Sequence, residues 1–70
     1  MWIRIREITL PAASAEQREE EREQLLRKTC QKLRIERSRI KDLRVYRKSP
    51  DLRKREKPLF VYTVDAELSG

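Results

Sequence analysis

Four kinds of residue in this chain have side chains capable of chemistry: a run of cations, a few carboxylates, one thiol and one indole. The cations are the most concentrated, since Arg47, Lys48, Arg53, Lys54 and Arg55 fall within nine consecutive positions. Such a cluster rewards phosphate groups or an acidic surface through charge pairing and counterion release. It also reads as a solvated hairpin whose charges keep strand edges from pairing with other chains. Asp51, Asp65 and Glu67 could offer oxygens to a divalent ion, but their spacing demands none and solvated carboxylates account for them equally. Cys30 reads as a small buried helix residue, not a reactive thiol. Trp2 either anchors a partner or completes a small core.

Absences bound the function more tightly. The chain has no His, and its only Gly is Gly70. The commonest general base and metal ligand are therefore missing, and no glycine-rich phosphate loop or dinucleotide fingerprint can be written within these residues. A single Cys gives neither an internal disulfide nor a zinc cluster. No residue is assigned a catalytic, metal-binding or cofactor-binding role, and the segment by itself is not expected to be an enzyme. With its net charge of +6, the chain holds seven basic and six acidic residues over positions 1–33, eleven and four over 34–58, and none and two over 59–70. The excess lies in the middle, where nucleic acid, an anionic ligand or an acidic protein could meet it. Only Tyr46, Phe60 and Tyr62 stand nearby for base stacking, a thin set for an RNA-binding sheet.

These residues must be positioned by few elements, because 70 residues make one domain with a thin core. WIRIREITL alternates as a strand over 2–10, with Ile3 and Ile5 on one parity and Ile8 and Leu10 on the other. Either a bulge near Glu7 restores the inward side or both faces are partly covered. Ser14 and Gln17 have capping-box spacing, and Glu16, Glu19, Glu20 and Glu21 suit a helix N-terminus, which predicts a helix over 15–33. Its second half repeats Leu25, Leu26, Thr29, Cys30 and Leu33 on one face, and its first half relies on pairs such as Glu23 with Arg27. A polar connection anchored by Ile40 leads to a strand over 43–48. Ser49-Pro50-Asp51 opens a basic hairpin loop over 49–58, and LFVYTVDAEL forms the last strand over 59–68.

The last strand is apolar on both parities near its start, which places it centrally. The expected fold is α+β, a small β-α-β-β domain of half-ferredoxin type. Its three-stranded mixed sheet has order 1-3-2, with one long helix on one face. The other face, with Trp2 or Tyr62 among its candidates, is left open or covered by something outside this chain. The opening residues carry no continuous apolar run, so the chain is expected to be cytoplasmic with no membrane partner.

The stretch Arg47-Lys48-Ser49-Pro50-Asp51-Leu52-Arg53-Lys54, followed by Leu59-Phe60-Val61-Tyr62-Thr63-Val64-Asp65, resembles the N-terminal region of a family of large bacterial FAD-dependent dehydrogenases. That family carries a Ser-x-Asp-x-Arg-Lys core before a strand much like FVYTVD. The opening Trp2-Ile3-Arg4-Ile5, Glu7-Ile8 and Leu10-Pro11 are similar as well. This sequence departs at Pro50 and Leu52, where the family usually has Ile and Ala. The resemblance implies an accessory domain preceding a separate Rossmann-type FAD-binding domain, with FAD belonging to the parent and no cofactor in this segment. It further implies that Ser49, Asp51, Arg53 and Lys54 organise the hairpin and contact the rest of the flavoprotein or an anionic ligand; Arg47 and Lys48, from the basic run, are candidates for the same contact. A basic nucleic-acid-binding module and a weak homodimer pairing open sheet faces are the alternatives.

Overall fold

The structure is a computed structural model that describes residues 1–51 and 57–69. Strand β1 (Trp2–Pro11) leads into a single helical turn, α1 (Ala12–Ala15), and a sixteen-residue helix, α2 (Arg18–Leu33). A 3-10 turn (Arg37–Arg39) follows, then β2 (Ile40–Pro50) and β3 (Leu59–Leu68). The sheet has three strands in the order β1-β3-β2. Both outer strands pair antiparallel with β3 and so run parallel to each other, joined by the helical crossover. The α+β class and the strand order are those the sequence predicts.

The phase slip in β1 is resolved by a bulge between Ile5 and Ile8, where Glu7 adopts φ 60°. The extra residue lets Ile5, Ile8 and Leu10 all face the helix, although their spacing breaks strict alternation. They join Ala15, Leu25, Leu43, Tyr62, Val64 and Ala66 in one core, with Ile40 among the half-buried residues around it. Leu25 is the helix's main contribution, and full burial of such a side chain is worth about 1.5–3 kcal/mol. At the far end of α2, Arg34 takes the left-handed conformation and its N–H bonds the Cys30 carbonyl. That helix stop ordinarily uses Gly.

Four expectations are corrected. The helix is not continuous from residue 15: Gln17 is extended (φ −109°, ψ 111°), and α2 restarts at Arg18. The reason is Ser14, which is buried against the sheet and donates its hydroxyl to Glu20 Oε1 at 3.2 Å instead of capping the helix. Strand β2 is longer than 43–48, because bulges between Ile40 and Asp42 and between Val45 and Arg47 keep a charged sequence in register. Ser49 and Pro50 belong to that strand rather than to a turn, opposite Val61 and Phe60, an edge position that tolerates the missing proline N–H. Finally, Tyr62 is fully buried on the helix side and is no part of the uncovered face.

Candidate docking face

Alternation along β3 buries Tyr62, Val64 and Ala66 under the helix and turns Val61, Thr63, Asp65 and Glu67 to the other side of the sheet. The antiparallel registers place Arg4 and Arg44 on either side of Asp65, and Arg47 beside Thr63. Trp2, 43% exposed, and Tyr46, 61% exposed, stand at the two margins. No element among the described residues lies over this face.

Two crossed stacks organise it. Arg4, from β1, forms a bidentate pair with Asp65 (Nε to Oδ1 2.8 Å, Nη2 to Oδ2 3.2 Å), and its guanidinium carbon lies 3.6 Å from the centroid of the Tyr46 ring on β2. Arg44, from β2, bonds Asp42 Oδ2 at 3.1 Å and lies 4.8 Å from the Trp2 ring on β1. Each unit is an aromatic ring, a guanidinium and an aspartate, and the two reach in opposite directions across β3. The bond to Asp65 raises the Arg4 pKa, and the same bond holds the Asp65 carboxyl below its usual range. A guanidinium fixed by a carboxylate along its edge and by a ring on its face has few rotamers left to lose when a partner arrives.

The six residues singled out from the sequence are not gathered into one patch. Arg47 is exposed and lies across from Thr63 on the open face. Lys48, one residue on, sits on the helix side. Its ammonium donates to Glu21 Oε2 at 2.7 Å and to the Ala15 carbonyl at 3.0 Å, and lies 4.9 Å from the Phe60 ring. Its expected outward docking role is thereby corrected: it fastens the helical layer to the sheet. Ser49 lies in the ladder opposite Val61, and the Asp51 N–H donates to the Leu59 carbonyl at 2.9 Å where the strands part. Arg53 and Lys54 lie outside the described residues.

Glu21 completes the helix-side fastening by accepting a second bond, from the buried Tyr62 hydroxyl at 2.6 Å. Burial pushes the Glu21 pKa up, but bonds from Lys48 and Tyr62 outweigh it and the net shift is downward. The phenol is pushed well above its ordinary value by burial first and by its bond to the carboxylate second. A phenol held that firmly protonated is a structural donor and a poor proton source.

The crossed stacks leave no signal in the sequence because they depend on register. Arg4 and Asp65 are 61 positions apart, and nothing local pairs them until β3 is placed between the other strands. Among the described residues no group of three His, Cys, Asp or Glu is placed to hold a metal ion, and no helix is long and apolar enough to cross a membrane. No curated protein and no solved structure matches the chain. The profile of a family described as Domain of unknown function (DUF8436) matches residues 2–67, so the chain belongs to that family.

Proposed function

We propose that this member of the DUF8436 family is a non-catalytic docking domain of a FAD-dependent dehydrogenase, seated on the rest of that enzyme through its uncovered sheet face. The observation that carries the reading is the pair of crossed aromatic–arginine–aspartate stacks on a face that no element among the described residues covers. The flavoprotein parent is supported by the likeness of the Arg47–Lys54 and Leu59–Asp65 stretches to that dehydrogenase family.

The size of the face favours a tethered partner. Strands of ten or eleven residues rising about 3.3 Å per residue, three of them about 4.8 Å apart, span roughly 33 by 14 Å, or about 470 Å². Closing a matching surface over it buries about 900 Å² in total, short of the ~1,200 Å² of free-standing complexes. That area is within the ~600–1,500 Å² of interfaces between domains of one chain, where tethering raises effective concentration to the millimolar range. The same shortfall weighs against a free homodimer through this face. Nucleic acid is disfavoured because Arg4 and Arg44 already hold carboxylates, and Asp65 and Glu67 stand on the middle strand where a phosphate backbone would pass.

The test is to express the full natural reading frame, record its flavin absorbance and compare the proteolytic release of this domain with that from a Trp2→Ala/Tyr46→Ala variant. The reading expects a flavin spectrum and faster release from the variant. A polypeptide without flavin, or release that ignores both aromatics, overturns it. Salt-sensitive RNA or DNA binding that weakens on Arg53→Ala/Lys54→Ala would instead support the nucleic-acid alternative.

A further inference from the structure

Helix α2 does not cover the helix side of the sheet evenly. Toward its C-terminus Lys28 donates to the Thr9 carbonyl and Lys32 to the Arg6 carbonyl, both on β1. Toward its N-terminus Glu21 reaches Tyr62, and Arg22 donates to the Leu43 carbonyl at 3.2 Å. Beyond that contact the helix leaves β2 uncovered. Leu43 is 4% exposed, yet Val45, two residues on and on the same side, is 46% exposed. Between helix and strand opens a groove of about 330 Å³, lined by Arg18, Glu21, Arg22, Leu25, Leu43 and Val45.

The chemistry of this groove is two-part. Leu25, Leu43 and Val45 make an apolar floor, and Arg18 and Arg22 make a cationic rim. Glu21, whose carboxylate accepts from both Lys48 and Tyr62 and also feels the charge of Arg18, offsets part of that rim and leaves it cationic. The Arg22 guanidinium stands 3.9 Å from Asp42, and 58% of its side chain remains exposed. The volume is at the small end of the ~300–1,000 Å³ of ligand pockets, a fit for a side chain or two rather than for a flavin or dinucleotide. A phosphate alone would satisfy the rim and leave Val45 in water; an aliphatic chain alone would leave two guanidinium groups against an uncharged wall.

We propose that the groove seats an acidic–apolar protein segment, with one aliphatic side chain on Leu25, Leu43 and Val45 and a neighbouring carboxylate on Arg18 and Arg22. The segment lies on the opposite side of the sheet from the crossed stacks. Its binding is therefore independent of the docking reading above.

The 70-residue chain, with its methyl and aromatic side-chain signals observed by NMR, is titrated with two capped peptides, one alternating Leu with Glu and one alternating Leu with Lys. The acidic peptide should shift the Val45, Leu43 and Leu25 methyl signals saturably and leave Trp2 and Tyr46 unmoved. Arg18→Ala should weaken it about tenfold, the loss of one charge-assisted contact, and Arg18→Glu should transfer the preference to the lysine peptide. Both substitutions are at an exposed position, so the fold is retained and the spectra verify it. No methyl shift at millimolar peptide, equal shifts from both peptides, or shifts confined to Trp2 and Tyr46 would each overturn the proposal. None of those results touches the flavin and proteolysis test, so either reading can fail alone.

Discussion

Removing a single oxygen, in Tyr62→Phe, probes what holds the helical layer to the sheet. The hydroxyl donates to Glu21 Oε2 at 2.6 Å from a residue with no exposed surface, and the ring keeps its packing in the variant. A hydrogen bond to a charged group is worth about 1.5–3 kcal/mol, and here the loss also leaves a shielded carboxylate oxygen with Lys48 as its main donor. Against a total stability of about 3–5 kcal/mol for so small a core, a loss of about 2 kcal/mol is a large fraction. It should lower the midpoint of thermal unfolding by about 8–16 °C, given about 4–8 °C per kcal/mol at this size. Unfolding followed by far-UV circular dichroism reads the shift, and a double-mutant cycle with Glu21→Gln isolates the pair. A variant within about 0.5 kcal/mol of the parent, the range of ordinary surface substitutions, would show that Glu21 does not tie α2 to β3 and would refute the reasoning.

Acid should weaken the fold in a defined window. Bonds from Arg4 to Asp65 and from Arg37 to Glu23 lower those carboxyls, and Glu21 is lowered although burial opposes it. Groups with depressed folded pKa values stabilise fully above their ordinary values of 3.8 and 4.5 and lose that stability as pH falls through the depressed ones. Urea midpoints should thus stay level down to about pH 5 and fall below about pH 4, and Glu21→Gln should shrink the fall even in high salt, which already screens the two exposed pairs. Arg34→Gly should stabilise by about 0.5–1 kcal/mol, since Arg34 holds φ 55° at the helix stop; a loss in the urea midpoint would contradict this. Thr29→Val should raise stability by about 1 kcal/mol, because Thr29 Oγ1 is buried without a hydrogen-bond partner and the replacement removes it, as equilibrium unfolding would show.

How far the sequence disclosed this structure depended on whether the signal was local. The last strand has its predicted bounds because LFVYTVDAEL is rich in strand formers on both parities and Pro58 precedes it. The bulge at Glu7 was legible as a change of parity between Ile5 and Ile8. The break before Arg18 was not, because Ser14 serves as a cap by spacing and as a buried residue by packing, and packing wins. Lys48 was misplaced for a related reason. The bulge between Val45 and Arg47 resets the alternation just ahead of it, and no residue type there announces the extra position. The Glu23 partner moved too: the predicted Arg27 contributes only through space, and Arg37, beyond the helix, makes the bidentate bond at 2.6 and 2.7 Å. The crossed stacks join residues that only the completed sheet makes neighbours.

The first and last strand ends also meet. The Leu68 N–H donates to the Met1 carbonyl at 2.8 Å, so the start of β1 and the finish of β3 leave the sheet side by side at one end. A force applied between those ends would not slide the strands past one another with all their bonds sharing the load. It would peel β1 from β3 one residue pair at a time, from Trp2 and Glu67 inward, until the bulge at Glu7 interrupts the ladder. The domain is therefore mechanically soft along its own chain direction, yielding to a pull that the same number of bonds loaded in shear would resist.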